Sequence, residues 1–167
     1  MYKRQIYTGA KFTRLYFKDC YIDGTTDFIF GPSTALFEDC IIHSKRNSYV
    51  TAASTPKEAK YGYVFKHCKL TAEPGVDKVY LGRPWRPYAY TLFIECELGK
   101  HIVLAGWHNW GKQSNEETAR YMEYKNTGEG ANASERVAWS KQLTKKEAEE
   151  VTVDAIFRTQ SDWNPID

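Results

Sequence analysis

Two short segments carry the residues with the clearest chemical potential. The first, Gly24-Thr25-Thr26-Asp27-Phe28-Ile29-Phe30-Gly31, opens an apolar, strand-forming run with an acid, where aspartate is ordinarily depleted. The second, Leu81-Gly82-Arg83-Pro84-Trp85, sets an arginine beside a tryptophan. Brought together, Arg83 and Asp27 could form a bidentate, charge-assisted pair. The guanidinium would aim the carboxylate and favour its charged form. A carboxylate held in this way in an aromatic-walled groove can act as a nucleophile. A structural ion pair bridging two parts of the fold would use the same residues, and spacing alone leaves both readings open. The histidines offer less. His43, His67, His101 and His108 show no i,i+4 pairing and no serine or cysteine motif for a triad. They read as surface or satisfied core residues.

The elements that would position Asp27 and Arg83 are legible in a repeat. Four cysteines sit in similar surroundings: Phe17-Lys18-Asp19-Cys20-Tyr21-Ile22, Phe37-Glu38-Asp39-Cys40-Ile41-Ile42, Phe65-Lys66-His67-Cys68-Lys69-Leu70 and Phe93-Ile94-Glu95-Cys96-Glu97-Leu98. The shared pattern, Phe-x-x-Cys-x-Ile/Leu, recurs after 20, 28 and 28 residues, a period typical of stacked repeats. Each unit holds a β-type run and a second run after it, as in Asp27–Phe30, Tyr49–Ala52 and Val79–Leu81, with Gly, Pro, Asn and Ser between. No helical pattern long enough for a crossover intervenes. Strands that recur without helices predict the coils of a parallel β-helix, an all-β solenoid. The phenylalanines and cysteines would then stack in its interior. Without a CxxC pair, the cysteines read as small core hydrophobes rather than metal ligands.

Asp27 and Arg83 fall in corresponding second runs two repeats apart. Neighbouring strands lie ~4.8 Å apart, so two coils separate their backbones by roughly 10 Å, which a long arginine and a short aspartate can span on the outside of the solenoid. The whole chain, 1–167, reads as one domain, with repeat coils over 1–100 and the last coil and a cap over 101–167. In that cap Arg120–Tyr124 reads as a strand, and Thr144-Lys145-Lys146-Glu147 is a capping box opening a short helix through about Val151.

Composition excludes several classes. The 167 residues are 42% hydrophobic, 26% charged and 15% aromatic, with a net charge of +2. That balance fits a folded domain and lacks the basic stripe of a nucleic-acid binder. No apolar run reaches membrane-spanning length, and Met1–Gln5 contains no apolar signal region. A weakly basic surface is compatible with a polyanionic substrate.

The quoted residues resemble those of the pectinesterases, or pectin methylesterases. Ile22–Gly31 is similar to that family's aspartate signature and Tyr80–Trp85 to its arginine signature. Tyr49–Ser54, Tyr61–Phe65, Gly106-Trp107-His108-Asn109-Trp110 and Trp139–Leu143 follow in the family's order. The resemblance implies a right-handed parallel β-helix that removes methyl esters from pectin, a polygalacturonate, and releases methanol. It implies Asp27 as nucleophile, Arg83 as its hydrogen-bonding partner, and Tyr7, Phe30, Trp85 and Trp107 as aromatics lining the substrate groove. It further implies no metal, no organic cofactor, no nucleic-acid or membrane partner, a monomer when full length, and a secreted or periplasmic parent.

One departure stands at the start. Where the family carries Gln-Asp-Thr-Leu-Tyr, this chain has Lys3-Arg4-Gln5-Ile6-Tyr7, so Arg4 replaces the general acid and Lys3 a glutamine that stabilises the oxyanion. The chain is therefore expected to be a C-terminal portion lacking N-terminal coils, and to be nearly inactive as written. The competing readings are a non-catalytic pectin-binding solenoid and, more weakly, another β-helical pectin enzyme. A lyase would want a carboxylate cluster for calcium and an inverting hydrolase a pair of spaced carboxylates.

Overall fold

The computed structural model describes residues 5–158 together with Trp163, Pro165 and Ile166; the substituted positions Lys3 and Arg4 lie outside the described residues. The chain winds through coils of three strands each. The first holds β1 (Ile6–Tyr7), β2 (Arg14–Lys18) and β3 (Tyr21–Gly24), and the second β4 (Ile29–Gly31), β5 (Thr34–Glu38) and β6 (Ile41–Ser44). The third holds β7 (Tyr49–Ala53), β8 (Tyr63–Lys66) and β9 (Lys69–Ala72), and the fourth β10 (Tyr80–Gly82), β11 (Tyr90–Ile94) and β12 (Glu97–Leu98). Equivalent strands pair in parallel into three sheets, β1-β4-β7-β10, β2-β5-β8-β11 and β3-β6-β9-β12. The chain folds as a parallel β-helix.

Three strands per coil, rather than two, arise at the corner inside the repeat motif. Asp19, Asp39, His67 and Glu95, each immediately before a cysteine, adopt left-handed backbone with φ of 53°, 54°, 54° and 51°. That bend splits what reads as one β-type run into two strands on different faces. Inside, the registers Phe17↔Phe37, Phe37↔Phe65 and Phe65↔Phe93 build a column of rings. Their centroids are 4.8, 4.5 and 4.4 Å apart and their planes nearly parallel. The cysteines follow the same column. The thiols of Cys40, Cys68 and Cys96 donate to the carbonyls of Phe17, Phe37 and Phe65, one coil earlier. The neighbouring Cys68 thiol and then burial push the Cys40 thiol above its ordinary value, which makes it a poor nucleophile.

The C-terminal region departs from a simple plug on the last coil. β13 (Arg120–Tyr124) pairs with β11 and β14 (Lys141–Gln142) with β13, extending the middle sheet. After α1 (Ser114–Thr118) come α2 (Lys145–Glu149), closed by the expected Thr144/Glu147 capping box, and α3 (Val153–Phe157). These last two helices run back along the outer face of the middle sheet, where Val151, Ile156 and Phe157 bury Leu36, Val64 and Leu92. The reason is that this sheet is apolar on both faces: Phe37, Phe65 and Phe93 point in while their neighbours Leu36, Val64 and Leu92 point out. Left bare, that stripe would expose a continuous apolar surface. Arg14 ties the end of α3 to the first coil by donating to the Phe157 carbonyl at 2.6 Å.

Candidate active site

The first sheet brings Asp27 and Arg83 together across the strand that lies between theirs. The Asp27 N–H donates to the Tyr49 carbonyl at the head of β7, and the Arg83 N–H donates to the Thr51 carbonyl two residues along it. The close pairing of β7 and β10 depends on Gly82, because a Cβ there would stand 2.1 Å from the Thr51 hydroxyl oxygen. Asp27 itself takes left-handed backbone, φ 49°, a conformation that aspartate tolerates better than most residues.

The side chains then meet in a fork. Arg83 Nε donates to Asp27 Oδ1 at 2.9 Å and Nη2 to Oδ2 at 2.8 Å, the bidentate geometry anticipated from the sequence. The exposure differs from the open outward pair expected. The Arg83 side chain is 19% exposed and that of Asp27 only 2%, because the guanidinium lies across the carboxylate. The guanidinium is in turn sandwiched: its carbon is 3.8 Å from the ring centroid of Tyr49 and 3.8 Å from that of Trp110. Such cation–π contacts strengthen where water is displaced.

Three of the four expected groove aromatics form a row beside the pair. The rings of Tyr7 and Phe30 lie 4.9 Å apart and those of Phe30 and Trp85 5.9 Å apart, with Tyr7 59% exposed. Trp107 does not join them. It is 1% exposed, its ring is 4.4 Å from that of Tyr121, and its Nε1 donates to Glu123 at 3.3 Å. Glu123 supplies a buried acceptor that draws the indole into the core, so the loop tryptophan presented at the site is Trp110.

Trp110 and Tyr49 were missed as site residues from the sequence. Tyr49 had a signal, since β7 lies between the coils of Asp27 and Arg83 and its first residue must adjoin both. Trp110 sits in a loop outside the repeat, and its only signal was its place in the Gly106–Trp110 segment that resembles the family's. Two histidines also differ from the sequence reading. The Nδ1 of His108 accepts from the Trp110 N–H at 3.0 Å, and burial followed by the charge of Arg83 lowers its pKa. His101 is buried with Nε2 lacking a hydrogen-bond partner among the described residues, and burial followed by the charge of His43 lowers its pKa to about 4. Among the described residues no cluster of His, Cys, Asp and Glu has the geometry to hold a metal ion, and no helix is long and apolar enough to cross a membrane.

The sequence profile of the Pectinesterase family matches residues 1–160. The chain belongs to the pectinesterase family. It is similar to Pectinesterase 31 of Arabidopsis thaliana, with 45% identity over 80% of this chain and 42% of that protein. The pectin methylesterase from carrot superposes with a TM-score of 0.86 at 33% identity, over 93% of this chain and 53% of that one. A pectin methylesterase solved in complex with a hexasaccharide superposes at 0.76 and 30% identity, over 91% of this chain and 52% of that one. The chain thus spans about two fifths of the length of the pectinesterase it resembles in sequence and about half that of the solved pectin methylesterases.

Proposed function

We propose that the site hydrolyses methyl esters of pectin through Asp27, oriented by Arg83. The observation that carries this reading is the two-pronged Asp27–Arg83 pair, clamped between Tyr49 and Trp110. Each carboxylate oxygen keeps a lone pair beyond the one accepting from arginine. One such oxygen attacks the ester carbonyl carbon, and the carbonyl π pair moves onto its oxygen. Collapse of that adduct breaks the bond to methoxide, which takes a proton from water and departs as methanol. The hydroxide left by that proton transfer then attacks the acyl-enzyme, releasing the galacturonate carboxylate and a proton and restoring Asp27.

The surroundings suit a partly anionic polymer of sugars. Two hollows flank Trp85 and share Arg86. One, of about 400 Å³, is lined by Tyr7, Lys11 and Tyr88 among others. The other, of about 240 Å³, is lined by Trp110 and Lys112. Neither is lined by a carboxylate, so the local field favours a polyanion, and the aromatic row offers flat faces to sugar rings. Pectin places this work outside the cell.

The second reading, a pectin-binding solenoid without catalysis, is favoured by the 2% exposure of the Asp27 side chain and by Arg4 in the place of the family's acid. Methanol release from methylated pectin, with and without Asp27→Asn, separates the two. A slow turnover abolished by Asp27→Asn in a folded variant supports the esterase. Retention on a de-esterified pectin column with no methanol from either protein supports binding alone. Equal methanol release from both would refute a role for Asp27.

A further inference from the structure

Arg83 is held by a loop whose backbone conformation is itself held by a histidine. Trp110 adopts left-handed backbone, φ 63°, and Gly111 follows at φ 67°. For a tryptophan that conformation is sterically costly, and it persists only where neighbours enforce it. Several do. The Trp110 N–H donates to His108 Nδ1 at 3.0 Å and the Gly111 N–H to Asn109 Oδ1 at 2.8 Å. Asn109 in turn donates from Nδ2 to Glu116 at 2.7 Å, and its carbonyl accepts from Asn115 Nδ2 at 2.9 Å. The His108 N–H donates to the Gly82 carbonyl, one residue before Arg83. The loop therefore forms a bracket pinned to β10 and to α1 that lays the indole on the guanidinium.

We propose that Trp110 is a positioning residue for the Asp27–Arg83 pair, and that His108, by accepting from the Trp110 backbone through an unprotonated Nδ1, makes that positioning sensitive to acid. The proposal rests on the esterase reading only for its consequence in catalysis, since the clamp is a geometric fact about Arg83. A histidine whose Nδ1 accepts a hydrogen bond is neutral and protonated at Nε2. Protonation removes the acceptor, so Trp110 loses one of the contacts enforcing its strained backbone. It also sets a positive charge beside Arg83. The titratable side chains against His108 are Arg83 and the rings of Tyr49 and Tyr80, both 5.4 Å away. None of these supplies a negative charge at neutral pH to offset protonation.

The lowered His108 pKa has the matching sign. The folded state disfavours the proton, so the ordered bracket is fully present above the usual histidine value of about 6.5 and is lost as pH falls through the lower folded value. With Arg83 free to rotate, the fork on Asp27 loosens, and a nucleophile misplaced by an ångström loses much of its advantage.

The direct readout is the Arg83 Nε–H signal in ¹⁵N-labelled chain, which does not depend on turnover. At pH 7.5 it should be shifted by the two ring faces and protected from exchange with water. In Trp110→Ala the shift should collapse and exchange should quicken about tenfold, the order expected for a partly desolvated cation–π contact, whereas Trp110→Phe should restore part of both. Acidification of the parent chain should move the signal with the His108 ring titration, at a midpoint below about 6.5. His108→Asn offers an acceptor oxygen near the Nδ1 position and cannot titrate, so it should keep the neutral-pH signal and lose that midpoint. An Arg83 signal unchanged in Trp110→Ala, or a midpoint that survives in His108→Asn, would overturn the proposal, and the second arm decides should Trp110→Ala not fold. Methanol release unaltered by Asp27→Asn would instead sink the esterase reading while leaving the Arg83 signature in place.

Discussion

Arg136 closes the last coil from inside, and its removal tests whether a buried ionic network holds the site loop. Its Nε and Nη2 donate to the two carboxylate oxygens of Glu123 at 2.7 and 3.2 Å. Nη2 also donates to the Gly130 carbonyl at 2.6 Å, and Nη1 to those of Leu104 and Val103 at 2.9 and 3.3 Å. Both side chains of the pair are only 3% exposed. Arg136→Met keeps much of the volume but leaves the Glu123 carboxylate buried, with only the neutral donors Trp107 Nε1 and Asn126 Nδ2. Three backbone carbonyls lose the Arg136 donor as well, Val103 alone keeping another among the described residues, in the Gly106 N–H. Leaving one member of a buried pair uncompensated typically costs about 3–5 kcal/mol, a large share of the roughly 5–15 kcal/mol that stabilises a domain. Urea unfolding at pH 7, followed by tryptophan fluorescence and circular dichroism, measures it. Adding Glu123→Gln should recover a good part of the loss, since the stranded charge is then gone. A loss below about 1 kcal/mol for Arg136→Met, the scale of an exposed pair, would refute the reasoning.

Two further outcomes follow from the core. Phe65 is fully buried, with rings stacked on both sides at 4.5 and 4.4 Å, so Phe65→Ala should cost about 3–5 kcal/mol in the same assay; a cost near 1 would mean that the column collapses to fill the gap. His101, with its pKa lowered to about 4 by burial and then by His43, binds its proton less readily folded than unfolded. Its contribution is therefore whole above about 6.5 and lost as pH falls toward 4, at roughly 3 kcal/mol in all. His101→Leu should flatten that part of the stability profile against pH, and an unchanged acid limb would show that the imidazole is solvated.

What the sequence determined by itself is what the repeat encodes. Phe17, Phe37, Phe65 and Phe93 recur at equivalent positions, and in a solenoid equivalent positions sit one strand spacing, ~4.8 Å, above one another. A shared residue type there already implies contact, and the same arithmetic puts Asp27 within reach of Arg83 two coils on. Family membership was legible for a related reason, because the two signature segments end on β4 and begin on β10, strands of the first sheet. Tertiary structure alone decided the rest. That Trp107 turns into the core while Trp110 covers Arg83 depends on Glu123 and on a left-handed φ of 63° at Trp110, neither of which any spacing announces. The course of α2 and α3 was likewise hidden, since their amphipathic pattern shows that they bury a face but not which face receives it. Repeat positions are related by translation, so local sequence fixes their neighbours; loop and terminal residues have no such relation, and their partners are chosen only once the whole surface has formed.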